Sequence, residues 1–151
     1  VIQPVRGNVL TRLEKLDSGE YGALILAEAG LKRLGLSDRI AYRFSPEELV
    51  PAAGQGILAI QTRAGEYADL LARLNSPDGA LCAKTERQLA SLLGGDCSAP
   101  VGCHAQLHGT DMTLYGFSGI GGVPRYGSVQ GNRNDADLLV QQLASKLTIT
   151  E

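Results

Sequence analysis

The breaker Asn75-Ser76-Pro77 separates two patterns of predicted secondary structure, and this change of pattern constrains the fold most. Before it, short apolar runs that suit buried strands alternate with short helices, as in parallel α/β units. After it, the predicted order is one helix, three strands and one helix, with the first two strands joined by Gly109-Thr110-Asp111, a turn of hairpin length. The sequence therefore predicts an α/β part followed by a small α+β domain with a three-stranded antiparallel sheet and helices.

The first part contains two predicted strand-helix units. An extended stretch over residues 1–5 leads to a helix over about residues 9–16, which Asn8 caps. A mostly apolar run over residues 21–27 suits a buried parallel strand, and a short helix over residues 29–36 follows it. A further strand over residues 57–61 is expected after a glycine-rich turn.

The predicted domain boundaries follow from these elements. The turn at Gly54-Gln55-Gly56 allows the chain to cross between domains. Residues 1–56 are then a partial α/β domain, residues 57–75 a crossing segment, and residues 76–151 the α+β domain. The elements predicted around and inside that last domain are helices over about residues 66–74, 78–93 and 135–147, and strands over about residues 103–109, 112–119 and 125–130.

Composition excludes several classes of function. Of the 151 residues, 44% are hydrophobic and 20% charged, which is typical of a globular protein. The 14 basic and 16 acidic side chains give a net charge of -2, so no overall field favours nucleic acid or an anionic membrane. Three cysteines suit a reducing compartment, so a cytoplasmic location is expected. Because the chain opens on valine rather than methionine, we expect a fragment of a longer protein.

Cys97 is the main candidate for chemistry. It lies between Gly94-Gly95 and Pro100, which predict a helix end and a stiff loop that presents the thiol. A thiol on such a loop is a candidate nucleophile if a cation or a helix end lowers its pKa. The alternative is a small apolar side chain packed under a turn, and the loop pattern alone leaves both open.

Arginines near the first helix form a second candidate site. Arg6 in the preceding loop and Arg12 in the first turns can converge on one polyanionic ligand near the positive end of the helix dipole. Lys32 and Arg33 can add to this charge from the second helix. The alternative is that each is a solvated surface residue.

A metal site is disfavoured. Cys97, Cys103, His104 and His108 are clustered, but on a strand Cys103 and His104 point to opposite faces, and no Cys-x2-Cys pair is present. We therefore predict no metal, and we predict that Cys82, in mid-helix, packs.

Four ordered motifs resemble the hydroxymethylbilane synthase (porphobilinogen deaminase) family. They are Arg6-Gly7-Asn8-Val9 with Thr11-Arg12-Leu13, the stretch from Ile25 to Gly35, Pro51-Ala52-Ala53-Gly54-Gln55-Gly56, and Gly95-Asp96-Cys97-Ser98-Ala99-Pro100-Val101-Gly102. The resemblance runs over essentially the whole chain but covers only the C-terminal half of the family's length.

The resemblance implies a transferase of tetrapyrrole and heme biosynthesis. In this family the cysteine matching Cys97 holds a dipyrromethane cofactor by a thioether, and four porphobilinogen molecules are condensed on it with loss of ammonia. Arg6 and Arg12 resemble cofactor-binding arginines, Arg12 and Arg33 substrate-binding ones, and Gln55 and Gly56 the cleft between domains. The implied fold of the α/β part is of the periplasmic-binding-protein type, and the implied parent is a cytoplasmic monomer.

The resemblance also implies what this chain lacks. The family's catalytic aspartate belongs to the missing N-terminal domain, so no catalytic residue is assigned here, and the fragment alone is expected to be inactive. Two rival functions stay open: a non-catalytic carboxylate- or phosphate-binding module, and a thiol redox sensor that uses Cys97 and Cys103.

Overall fold

The computed structural model describes residues 1–94 and 99–148, which fall into a compact unit over residues 1–43 and a second unit from residue 44 onwards. No helix among these residues is both long enough and apolar enough to cross a membrane. The first unit contains helix α1 (Val9–Asp17), helix α2 (Glu28–Arg33) and a single 3₁₀ turn at Ser37–Arg39.

Helix α1 begins where the sequence predicts. The Asn8 side chain accepts a hydrogen bond from the backbone N–H of Thr11 at 2.9 Å, which satisfies one of the free donors of the first turn. Leu13 of α1 and Leu31 of α2 are the buried hydrophobic residues of this unit. The two helices approach each other closely at Gly30, where an added Cβ would lie 3.6 Å from a methyl group of Val9.

The buried parallel strand predicted over residues 21–27 is wrong in this structure. Residues 1–43 are all described and contain no strand. Residues 21–27 run without a ladder, and Ile25 is 69% exposed. A parallel strand exists only where another strand lies alongside it to share hydrogen bonds, and an apolar run does not specify that partner.

The second unit contains the helices and strands of the predicted α+β domain. Its elements are α3 (Ala68–Leu74), α4 (Pro77–Leu92), β1 (Val101–His108), β2 (Asp111–Ser118), β3 (Arg125–Asn132) and α5 (Ala136–Leu147), with 3₁₀ turns at Ile120–Gly122 and Arg133–Asp135. The strands form one antiparallel sheet in the order β1-β2-β3. In its register Cys103 lies opposite Gly116, and Leu114 lies opposite Val129. The predicted three-stranded sheet with helices is confirmed.

The core of this unit lies between one face of the sheet and helices α4 and α5. Buried residues of α5 recur at helical spacing in two rows, Ala136, Val140, Ala144 and Leu139, Leu143, Leu147. They pack on the buried side chains Cys103, Met112, Leu114 and Val129 of the strands. Gly116 lets α5 approach the sheet, because an added Cβ there would lie 2.5 Å from a methyl group of Leu147.

Residues 57–61, which the structure describes, do not form the predicted strand. The chain turns at residues 53–56, as predicted, but continues without a ladder, and Leu58 is 84% exposed. The reason is the same as for residues 21–27: β-prone side chains favour an extended backbone, while a strand also requires a neighbour.

Candidate functional site

The two arginines near α1 are placed by that helix and the loop before it. Arg12 lies in α1, and its Nε donates a hydrogen bond of 2.8 Å to the carbonyl oxygen of Gly7. This contact turns the Arg12 side chain back to the loop that carries Arg6, which is exposed. Among residues 1–43, neither arginine forms an ion pair with a carboxylate, so the terminal nitrogens of Arg12 keep their donors for an anion.

Arg33 and Lys32 differ from each other in their partners. Lys32 forms an i,i+4 ion pair of 2.9 Å with Glu28, and Arg43 Nε lies 2.7 Å from the same carboxylate oxygen. Hydrogen bonds first from Arg43 and then from Lys32 hold the pKa of Glu28 below its usual range. Arg33, the last residue of α2, is exposed and has no carboxylate partner among residues 1–43. Within residues 1–43, no hydrogen bond joins Arg33 to Arg6 or Arg12.

The Gly54-Gln55-Gly56 turn is tightly built. Gln55 N–H donates to Ala52 O, and Ile57 N–H donates to Gly54 O, both at 3.0 Å. Gly54 and Gly56 have φ values of +78° and +83°, which L side chains rarely adopt. The two exposed residues of the turn, Gln55 and Gly56, therefore present their polar groups away from the core.

Cys97 itself lies outside the described residues, within the gap at residues 95–98. Helix α4 ends at Leu92, and Gly94 has a φ of +72°, so the predicted glycine stop is confirmed. Leu93 is buried in the core, and β1 begins at Val101. Both ends of the segment that carries Cys97 are thus attached to the packed part of the second unit.

The other two cysteines are packing residues. Cys103 is fully buried on β1, and burial, followed by the negative charge of Glu86, raises the pKa of its thiol to about 12. Burial is also the main cause that raises the pKa of Cys82 on α4, which is partly buried against the core. The predicted packing role of Cys82 is confirmed, and Cys103 lacks the accessible thiolate that a redox sensor requires.

The rate of alkylation measures directly how accessible the Cys103 thiolate is. At pH 8 a thiol with a pKa of about 12 has a thiolate fraction of about one in ten thousand, and burial blocks access further. We expect iodoacetamide to label Cys103 at least about a hundredfold more slowly in the folded protein than in urea, with labelling faster as pH rises towards 12. Site-resolved mass spectrometry gives the rate, and Cys82 is the internal control. Rapid labelling of folded Cys103 at pH 8 would restore the sensor hypothesis.

The histidines follow the predicted alternation of faces. Cys103 is buried, whereas His104 is on the opposite face and stacks on Tyr115 with ring centroids 6.3 Å apart. Its Nδ1 lies 3.4 Å from a carboxylate oxygen of Glu86, and His108 is exposed. Within residues 1–94 and 99–148, no three histidine, cysteine or acidic side chains are grouped so as to hold a metal ion.

Sequence reasoning missed Glu86. This residue is only 2% exposed, and its carboxylate oxygens accept hydrogen bonds from the backbone N–H groups of Gly54 and Ala105. The signal was its position: Cys82, Glu86 and Leu89 recur at helical spacing on the stripe of α4 that faces the core, and Leu93 continues this spacing just past the end of the helix. A charged residue on such a stripe requires hydrogen-bond partners from the surrounding backbone.

Two family models match consecutive parts of the chain. Residues 1–70 match the model described as porphobilinogen deaminase, dipyromethane cofactor binding domain, and residues 80–148 match its C-terminal domain. Residues 71–79 lie between the two matches. Together they cover most of the chain, including Arg6, Arg12, Gln55 and the segment that carries Cys97.

Curated relatives agree with these matches. Porphobilinogen deaminase of Chromobacterium violaceum is 48% identical over 150 residues, covering 97% of this chain and 48% of the relative. The porphobilinogen deaminases of Thiobacillus denitrificans and Ruminiclostridium josui are 45% and 43% identical, over 97% and 95% of this chain. The chain belongs to the porphobilinogen deaminase family. It spans about half the length of the curated relatives it matches.

Proposed function

We propose that this chain is the C-terminal half of an enzyme that condenses four porphobilinogen molecules, with release of ammonia, into the linear tetrapyrrole hydroxymethylbilane. The match of residues 1–70 to the family's cofactor-binding domain carries this proposal. In this proposal the family's catalytic aspartate lies in the part of the enzyme that the chain does not span, so we expect these 151 residues alone to be inactive. The complete enzyme would act as a cytoplasmic monomer.

The residues present fit a dipyrromethane cofactor. Bound through a thioether at Cys97, this group would supply the pyrrole on which condensation begins. Its acetate and propionate side chains are carboxylates, and Arg12 offers free guanidinium donors beside the loop that carries Arg6. Arg6 and Arg12 would bind cofactor carboxylates, Arg12 and Arg33 would bind those of the substrate, and the exposed Gln55 and Gly56 would also be cofactor-binding residues. A sulfur nucleophile suits Cys97 because a thioether is stable in neutral water.

The domain assignment is part of the proposal. Residues 1–56 would belong to an α/β domain of the periplasmic-binding-protein type, completed by sequence present in the longer relatives. Residues 57–75 would cross towards the family's first domain, which suits the exposed apolar side chains of Leu58 and Ile60. Residues 76–151 would form the domain that carries Cys97, supported by the three-stranded sheet and the helices around it.

Intact mass tests the proposal. The polypeptide carrying this sequence at the full length of the relatives is expected to exceed its sequence mass by two linked pyrroles, because Cys97 retains the cofactor covalently. Cys97→Ser is expected to lose the adduct completely, while Cys82→Ser, which changes a packing thiol, retains it. An unmodified but carboxylate-binding protein would favour the anion-binding module instead, and an adduct that survives in Cys97→Ser would refute the assigned attachment site.

A further inference from the structure

The carboxylate of Glu86 joins three separate segments of the second unit. Glu86 belongs to α4, and its Oε2 accepts a hydrogen bond of 2.7 Å from the backbone N–H of Gly54. Its Oε1 accepts one of 2.8 Å from the backbone N–H of Ala105 on β1. The Nδ1 of His104 lies 3.4 Å from Oε1. A single side chain thus connects α4, the turn at residues 53–56 and the sheet.

Because Glu86 is buried, its hydrogen bonds contribute strongly to the stability of this arrangement. The residue is 2% exposed, and a buried carboxylate is costly unless its oxygens are hydrogen-bonded. Both oxygens have a backbone N–H donor, and hydrogen bonds to a charged acceptor are stronger than those between neutral groups. A leucine at this position of α4 would pack on the core without the cost of burying a carboxylate. The hydrogen bonds to the backbone of Gly54 and Ala105 therefore explain why a carboxylate lies here.

The chain before the turn is also fixed on β1. Cys103 N–H donates to Pro51 O at 2.8 Å, and a Cβ added at Gly102 would lie 2.6 Å from Val50 O. Ala53 packs against the core. These contacts hold residues 50–53, whereas the Gly54 N–H bond to Glu86 fixes the orientation of the turn that follows.

We propose that Glu86 is a positioning residue that holds the turn at residues 53–56 against β1, so that Gln55 and Gly56 face the cofactor. The function of the turn rests on the proposed function above, whereas the Glu86–Gly54 contact does not. Glu86 touches neither cofactor nor substrate in this proposal, and it acts through the orientation of the turn.

The substitution Glu86→Gln isolates the second carboxylate oxygen. A carboxamide has nearly the same shape but only one oxygen, so it can accept from Ala105 or from Gly54 and must point an N–H at the other. Ala105 is fixed opposite Leu114 in the β1-β2 ladder, and the turn has no ladder. The turn is therefore expected to move. Val140→Ala, which opens a small space on α5 away from the turn, is the control for lost stability alone.

Amide exchange tests the contact in the full-length polypeptide. NMR is expected to show Gly54 exchanging at least about tenfold faster in Glu86→Gln than in the wild type, while Cys103, bonded to Pro51 O, changes little. In Val140→Ala, the amide of Gly54 is not expected to exchange faster relative to the amide of Cys103 than it does in the wild type. Unchanged exchange at Gly54 in Glu86→Gln would overturn the proposal.

Cofactor loading tests the consequence. Cofactor-free polypeptide is incubated with porphobilinogen, and the pyrrole adduct is followed by intact mass. We expect Glu86→Gln to load at least about tenfold more slowly than Val140→Ala at equal thermal stability, since only the former releases the turn. Equal loading would overturn the positioning role. A wild type that takes up no pyrrole would refute the proposed function, and the exchange data would then still report whether Glu86 holds Gly54.

Discussion

Replacing Leu143 with alanine is expected to lower the free energy of unfolding of the second unit by about 3–5 kcal/mol, near the upper end for buried leucines. Leu143 is fully buried on α5. Its two methyl groups lie over the sheet at Gly116 and Gly127, each 3.1 Å from where a Cβ would be. Glycines have no side chain that can move into the vacated volume, so the cavity is expected to persist.

Leu138 is the matched control on the same helix. It is 58% exposed, so Leu138→Ala removes the same atoms at nearly the same helix propensity cost but leaves no cavity. Its expected effect is within about 0.5 kcal/mol. Urea denaturation followed by far-UV circular dichroism measures both variants, with an unchanged m-value as the condition for comparison. Equal losses for the two variants would contradict the packing of α5 on the sheet.

The elements predicted correctly are those that local sequence specifies. Helix α5 has apolar residues at helical spacing, α4 begins within the predicted breaker Asn75-Ser76-Pro77, where Ser76 caps it, and α1 begins after its predicted cap Asn8. The β1-β2 hairpin has a two-residue turn at Gly109-Thr110, where Gly109 has a φ of +65°. Each of these signals acts over a few residues, so no knowledge of distant partners is needed.

The errors share one physical cause. Residues 21–27 and 57–61 have the composition of strands but form no ladder, because pairing depends on segments far away in sequence. The spacing of apolar residues in a helix indicates which face is buried. The composition of a strand does not indicate which other strand pairs with it. The three strands that were predicted correctly, β1, β2 and β3, each pair with a sequence neighbour across a short connection, at residues 109–110 and 119–124.

The candidate site was predictable in part. The residue types at Arg6 and Arg12 indicated an anion site, but the return of Arg12 Nε to Gly7 O depends on a rotamer that spacing does not specify. Glu86 lay on a periodic stripe and its two backbone partners come from residues 54 and 105, so only the folded chain identifies them. The assignment to tetrapyrrole chemistry came from the family motifs, since the charge pattern alone suits many carboxylates.

Under the proposed function, Arg12→Leu in the full-length polypeptide is expected to reduce turnover of porphobilinogen by about 10- to 150-fold, the equivalent of about 1.5–3 kcal/mol for a lost charge-assisted pair. The reason is the free pair of terminal guanidinium nitrogens, which no carboxylate of residues 1–43 neutralises. Leucine retains the packing of the side-chain stem but removes both donors. Arg6→Leu is also expected to lower turnover. Arg6 directly precedes Gly7, whose carbonyl oxygen accepts the hydrogen bond from Arg12 Nε.

Arg63→Leu is the control for the loss of one positive charge. Arg63 is an exposed arginine already paired with Glu66 at 2.9 Å, so its removal is expected to leave turnover within about twofold of the wild type. Arg12→Lys separates charge from shape: an ammonium keeps the charge but not the planar fork, and an intermediate rate is expected. Steady-state rates of ammonia release measure turnover, and they are compared among variants that have similar melting temperatures. Because Arg12 is only partly buried and its stem is retained, wild-type turnover in Arg12→Leu would remove this residue from the site rather than reflect compensation within the core.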